Sequence, residues 1–256
     1  MLVFLDVETT HLSPGQVAQL SYIVADEDFA IRNAKNFYFA VKTMSQKSSE
    51  VNGLNKRKLA KLSGGLTFMD HIQEIAQDLT DHALICHNAD FDLRFLQSEF
   101  SDAGKRLTPM TLLCTMRAYT PICKLRGGRN GSKYKWPKLQ EVLAHTGIVD
   151  SEVADLASQA FKCAATEVHD SRFDTAAIYL ICKKAVGKER MAKWVADSVA
   201  KQTEVAAAKQ ASEPKPEHAG ARHVPAATNK KASAGRGCSS TIVMLALALA
   251  ALLWLM

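Results

Sequence analysis

The chain opens on a run of apolar residues, 2–5, that stops at Asp6. A run that short, with no polar alternation, reads as a strand buried on both faces. Residues 17–25 and 36–41 carry β-branched and aromatic side chains at strand length, with polar turns between them. The short links among these three runs predict an antiparallel meander. The period then changes: Phe68, Ile72, Ile75, Ala76 and Leu79 recur at helical spacing over residues 68–79. A second short apolar strand follows at 83–86, then a helix at 91–100, a strand at 111–116 and a short helix at 139–145 ended by Gly147. A helix over 170–185, apolar at Phe173, Ala177, Ile178 and Ile181, closes the pattern. Three antiparallel strands followed by strand–helix–strand units predict an α/β domain around a mixed sheet. Ligands of such sheets gather at strand ends and helix starts, where Asp6 and residues 87–92 both fall.

After about residue 197 the texture changes. Ala, Lys, Pro, Ser and Gly dominate residues 206–237, which predicts a flexible linker. Residues 241–256 then run without a single charge. The expected organisation is a folded domain over 1–196, a linker over 197–240 and a hydrophobic C-terminal helix over 241–256. A length of 256 residues suits one domain with such an appendage. The net charge of +6 changes this picture little, because residues 201–240 hold seven basic and only three acidic residues and so supply four of the six charges. Six cysteines could mean disulfides. Residues 2–5 are already a strand, however, which leaves no room for a signal peptide ahead of it. Cys86, Cys114, Cys163 and Cys182 have apolar neighbours and are expected to be buried thiols in a reduced, intracellular domain. No C-x-x-C pair or Cys/His cluster suggests zinc.

Three short segments carry the chemistry. In Asp6-Val7-Glu8 the two acids are two apart in a strand, so they project from one face. Adjacent carboxylates repel unless a cation or proton lies between them, and Mg²⁺ prefers such oxygen ligands. Asp92 follows the strand at 83–86 and falls in a first helical turn, where the helix dipole favours negative charge; Asp90 is the expected N-cap of that helix. His169 precedes Asp170, a plausible N-cap, and Asp174 lies one turn further on. Histidine is the side chain best suited to take a proton from water near neutral pH. Each segment alone has a plainer meaning: solvated acids at a strand end, a helix cap, a surface histidine. Together, Asp6, Glu8, Asp92 and Asp174 could hold two metal ions and His169 could serve as general base, which is an apparatus for phosphoryl transfer.

With these residues in place, residues 1–185 resemble the DEDDh 3′→5′ exonucleases, the proofreading-type, DnaQ-like group. Asp6-Val7-Glu8-Thr9-Thr10 is similar to the first motif of that family, and His87-Asn88-Ala89-Asp90-Phe91-Asp92 to the second, with the ligand at Asp92. The step from His169 to Asp174 matches the third. The resemblance implies a ribonuclease H-like fold with a mixed five-stranded sheet flanked by helices, two Mg²⁺ or Mn²⁺ ions, and release of nucleoside monophosphates from a 3′ end. It also implies that Thr9, Asn52 and Leu54 contact the terminal nucleotides, Leu54 as an apolar wedge, with His87 and Asn88 as further candidates for substrate contact. His11 stands where the family usually has glycine, and Asn52 where histidine is common.

Between residues 121 and 138 stand Lys124, Arg126, Arg129, Lys133, Lys135 and Lys138 with no acid, and Tyr134 and Trp136 are interleaved. Cations for phosphates and aromatic faces for bases suit single-stranded nucleic acid, with Lys124, Arg126 and Arg129 as the phosphate contacts and Trp136 expected in the core. The function expected is therefore a metal-dependent 3′→5′ exonuclease acting on single-stranded DNA. The alternatives are an RNA exonuclease, or a non-catalytic nucleic-acid-binding adaptor on the same fold. Lys230, Lys231 and Arg236 precede the uncharged residues 241–256, which predicts a membrane anchor at the C-terminus with the catalytic domain facing the cytoplasm. Nothing in the chain points to a particular polymerase or other protein partner.

Overall fold

The computed structural model describes residues 1–12, 15–127, 132–164 and 166–212. Five strands form one mixed sheet: β1 (Leu2–Thr9), β2 (Val17–Ala25), β3 (Ile31–Tyr38), β4 (Ala83–Cys86) and β5 (Thr111–Cys114), in the order β3-β2-β1-β4-β5. The first three pair antiparallel, as the short links required, and β4 and β5 add in parallel beside β1. The helices are α1 (Gln46–Asn52), α2 (Lys56–Leu62), α3 (Phe68–Leu79), α4 (Ala89–Asp102), α5 (Thr115–Cys123), α6 (Leu139–Thr146), α7 (Asp150–Phe161), α8 (Ser171–Leu180) and α9 (Lys188–Ser212), with a π-helical turn at Ile181–Val186 between the last two.

The pleat of β1 sorts its side chains. Leu2 and Phe4 pack into one core with α6, α7, α8 and the π turn, while Val3, Leu5 and Val7 pack into a second with α3 and α4. Asp6 and Glu8 continue the Leu2–Phe4 row and so point toward the α8 side of the sheet. Both faces of β2 are covered, and all nine of its residues are buried, Gln19 and Ser21 included.

Several expectations shift. The third strand lies at Ile31–Tyr38 rather than 36–41, because the turn at Asp26–Ala30 sends the chain straight back along β2. The fifth strand ends at Cys114, and Thr115 and Met116 begin α5. Cys114 and Cys163 are half-buried rather than buried, since each lies where an element ends. Helix α9 carries the chain past residue 197 to Ser212, so the first part of the expected linker is helical. Its alanine-rich composition favours helix, and the Ser198 and Thr111 hydroxyls meet at 2.6 Å, joining it to β5. Among the described residues no helix is long and apolar enough to cross a membrane. The hydrophobic stretch at 241–256, with the rest of the linker, lies outside the described residues.

Candidate active site

The pairing of β1 with β4 runs from Leu2↔Ala83 to Phe4↔Ile85, so β1 extends beyond its last parallel partner. On that stretch the Val7 N–H donates to Asp92 Oδ1 at 3.3 Å. The bond draws the first turn of α4 onto the strand end between Asp6 and Glu8. Asn88, in a left-handed conformation (φ 85°), turns the chain from β4 into α4. Asp90 therefore stands inside the first turn, paired with Arg117, and is not the N-cap that the sequence suggested. Helix α8 arrives from the other side. Asp170 caps it, accepting the Arg172 N–H at 3.0 Å, which leaves His169 in the preceding loop and Asp174 in the first turn. One ligand atom each from Glu8, His169 and Asp174 lie within 4.8 Å of one another. Residues from three separate parts of the chain thus meet at one end of β1.

Burial and crowding act together on these acids. Burial, then Asp174, Asp92 and Glu8, push the Asp6 carboxyl well above the usual carboxylate range. Burial and the nearby Asp174 push Glu8 up to about 8, against a hydrogen bond from Asn52. Asp92 is pushed up to about 8 by burial, against the Val7 N–H. Burial likewise pushes Asp174 up to about 7, against the neighbouring His169 backbone N–H. Asp174 Oδ1 is buried with no hydrogen-bond partner. Four crowded carboxyls, one of them with an orphaned oxygen, form the donor set that a hard divalent cation satisfies. Asp170 behaves oppositely: burial would raise it, but Arg172 holds it below its ordinary value. His169 is exposed, so its ring is open to water.

A family model described as Exonuclease (RNase_T) matches residues 3–158, more than half of the chain, and takes in Asp6, Glu8 and Asp92. The chain belongs to this exonuclease family. His169 and Asp174 lie beyond the matched stretch. No curated protein matches the chain. Among solved structures, similarity is found to exonuclease I in a structure described as suggesting how processivity is achieved, with TM-score 0.54, 16% identity, and coverage of 72% of this chain and 40% of that one. Two structures of the E. coli enzyme are similar over the same shares, 72% and 40%: a complex with a dA16 oligonucleotide (TM-score 0.53, 15% identity) and a zinc-ion-bound complex with single-stranded DNA (TM-score 0.50, 16% identity). At such identities the likeness is one of fold: a ribonuclease H-like exonuclease domain with a mixed five-stranded sheet flanked by helices. The chain spans about 40% of the length of these exonuclease I structures.

Within this exonuclease domain the expected substrate residues fare unevenly. Asn52 closes α1 beside the site, donating to Glu8 Oε2 at 3.3 Å and accepting the Leu54 N–H at 3.1 Å. Leu54 is only 4% exposed and packs with Ala18, Val41 and Leu59, so its side chain is core there and not a wedge. Val51 is the exposed apolar side chain of that segment. Thr9 is buried, with its hydroxyl donating to the His11 carbonyl at 2.9 Å.

His87 is also turned inward. Nε2 reaches the Pro137 carbonyl at 3.0 Å and Nδ1 the Thr115 hydroxyl at 2.9 Å. A carbonyl only accepts, so Nε2 carries the proton. Burial lowers the imidazole to about 4, against the Pro137 hydrogen bond. With both nitrogens engaged, His87 is a strut and not the expected substrate contact. Asn88 serves as the left-handed residue at the start of α4. Lys124 and Arg126 are exposed, whereas Arg129 lies outside the described residues. Trp136, expected in the core, is 60% exposed, because Pro137 rather than the indole is what His87 anchors.

Gln19 and the partners of Asp170 also belong to this region, beyond the residues that the motifs pick out. The available signal was two polar residues, Gln19 and Ser21, on one face of an otherwise apolar strand.

Proposed function

We propose that this chain is a metal-dependent 3′→5′ exonuclease of the DEDDh type, removing nucleoside monophosphates from single-stranded DNA. The observation that carries the reading is the meeting of Glu8, Asp174 and His169 within 4.8 Å at the end of β1, with Asp92 bonded to the same strand. Asp6, Glu8, Asp92 and Asp174 are the residues that would hold two ions, Mg²⁺ or Mn²⁺. When bound, such ions supply Lewis acidity and neutralise the charge that develops on the phosphoryl group. His169 takes a proton from the attacking water as the O–P bond forms and the P–O3′ bond breaks, and the departing oxygen takes its proton from solvent. Because the imidazole is exposed, it can return its proton to bulk water after each turnover. Asn52, bonded to Glu8, sets the α1–α2 junction beside the proposed ion site, which supports a role for this junction in meeting a 3′-terminal nucleotide. The exposed Trp136 with Lys124 and Arg126 suits a trailing single strand, whose bases stack on aromatic faces.

The test is to incubate the protein with 5′-labelled DNA and RNA oligonucleotides, single- and double-stranded, with Mg²⁺ or EDTA. Stepwise shortening of single-stranded DNA from the 3′ end, abolished by EDTA, is expected. Cleavage of a circular strand as fast as a linear one would overturn the exonuclease assignment, and faster removal from RNA would move the substrate to RNA.

In the same reading, residues 241–256 anchor the C-terminus in a membrane with the catalytic domain on the cytoplasmic side, since Lys230, Lys231 and Arg236 flank the stretch. A helix of that length spans about 24 Å, short of a hydrocarbon core of about 30 Å, and local thinning of the bilayer can make up the difference at small cost. Full-length protein should resist extraction by high salt and alkaline carbonate, while residues 1–235 stay in the supernatant with equal activity. Full release by carbonate removes the anchor and leaves the nuclease reading standing.

A further inference from the structure

Gln19 lies in β2, a strand buried along its whole length, and is itself 1% exposed. A buried amide is costly unless its hydrogens find acceptors. Both do: Nε2 donates to Asn36 Oδ1 at 2.8 Å and to Asp170 Oδ1 at 3.0 Å. Strand register makes the placement specific. Gln19 is the cross-strand partner of Glu8 on one side and of Tyr38 on the other, and directly opposed residues share a face of the sheet. One amide therefore joins the neighbourhood of Glu8 to the residue that follows His169, across 151 positions of sequence.

The residue it reaches is tightly held. Besides capping α8, Asp170 takes the Arg172 guanidinium as a fork, with Nε at 2.9 Å and Nη2 at 2.6 Å. That guanidinium lies over the Tyr38 ring, 5.8 Å from its centroid. The Ser171 hydroxyl meets the Ser21 hydroxyl at 2.6 Å, and the Thr175 hydroxyl donates to the Ser21 carbonyl at 3.1 Å. The first turn of α8 is thus fixed to β2 and β3 at several points. His169 itself has φ 68°, a left-handed conformation that a side-chain-bearing residue keeps only where its surroundings impose it.

We infer that Gln19 is a positioning residue: by holding Asp170 against β2 it sets the backbone of His169, and so stands the imidazole beside Glu8 and Asp174. The inference rests on the exonuclease reading, in which His169 is the general base. Gln19→Met removes the amide donors at similar volume, and Asp170→Ala removes the acceptor from the other end of the same bond. Each is compared in the wild-type and His169→Ala backgrounds on a 5′-labelled single-stranded oligonucleotide with Mg²⁺. A small misplacement of a catalytic group can cost about a hundredfold. Each variant should therefore lower kcat about ten- to a hundredfold, with KM and Mn²⁺ affinity within about threefold, and lower it no further when His169 is already gone. Independently of turnover, the ring ¹H–¹³C signal of His169, identified by its loss in His169→Ala, should shift in both variants. Equal losses in both backgrounds, or an unmoved His169 signal in a folded variant, overturn the inference. If the wild-type protein cuts nothing, the exonuclease reading falls, while the ring signal still decides whether Gln19 holds His169.

Discussion

The carboxyls at the end of β1 and the cations between Lys124 and Lys138 are both dense clusters of like charge, and the protein treats them in opposite ways. Asp6, Glu8, Asp92 and Asp174 are packed among strand and helix residues, with Asp92 fixed by a backbone N–H and Glu8 by Asn52. Lys124, Arg126, Lys133 and Trp136 stand in solvent, where like charges cost little. Among the described residues of this second cluster, Lys135 pairs with Glu141 at 2.5 Å, and Lys133 lies over the Tyr134 ring. Burial and crowding leave the first cluster in need of bound protons or a cation, and make it sensitive to position. Exposure makes the second insensitive to position and sensitive to salt. In the proposed function, a reacting phosphate would use the former kind of site and a trailing strand the latter.

That contrast is open to attack at both ends, starting where the effect is largest. A bound metal contributes several kcal/mol to a phosphoryl-transfer transition state, and each 1.36 kcal/mol is tenfold in rate. Asp6→Ala or Asp92→Ala should therefore reduce turnover roughly a thousandfold or more. Single-turnover assays across a Mg²⁺ titration measure this, and a variant that regains activity as the metal concentration rises would weaken the contrast by showing that position matters less than occupancy. His169→Ala should cost about 10²–10⁴-fold in kcat, while Mn²⁺ affinity stays close to wild type. Full turnover by that variant between pH 6 and 8 would remove the histidine from the chemistry.

The exposed cluster should respond in binding rather than in rate. A base stacked on an aromatic ring is worth about 1–3 kcal/mol, so Trp136→Ala should raise KM by roughly five- to a hundredfold and leave kcat nearly unchanged. A fall in kcat instead would place the indole inside the chemistry.

His87 links the two regions, since it ties the end of β4 to Pro137, and it gives the contrast a pH axis. Its folded-state value, about 4, lies below its ordinary value. As pH falls from about 6.5 toward 4 the unfolded chain takes up a proton that the folded imidazole refuses, so stability present at pH 7 is lost on acidification. Near pH 4.5 the loss is on the order of 2 kcal/mol. Wild type should accordingly lose more thermal stability than His87→Gln between pH 7 and 4.5, and parallel losses would show that His87 is charged inside the fold. The smallest effect expected belongs to the open cations. Lys124→Ala with Arg126→Ala should flatten the salt dependence of binding by about 0.7 in log–log slope per lost phosphate contact, with turnover at saturation unchanged. An unaltered slope would make these residues scaffold.

The sequence by itself located β2, β4 and the apolar start of β1, and it set the order of the motifs and the residue types of the candidate site, while the bounds of β3 and β5 came out elsewhere than the patterning suggested. Period-two and helical patterning are local, and so is the rule that residues two apart in a strand share a face, which is why Asp6 and Glu8 could be paired from the chain alone. The cap at Asp170, and with it the loop position of His169, was equally legible, because an N-cap bond is made within the same turn. What only the tertiary structure decided is whatever depends on which residues meet across long separations. Leu54 and Trp136 exchanged their expected exposures, since burial is set by neighbouring elements rather than by a residue's own apolarity. His87 became a strut only because Thr115 and Pro137 arrive beside it. Gln19 could not have been assigned at all from one strand: its meaning lies in the register that sets it opposite Glu8 and in the arrival of Asp170 from 151 residues away, where burial leaves the amide no water to bond instead.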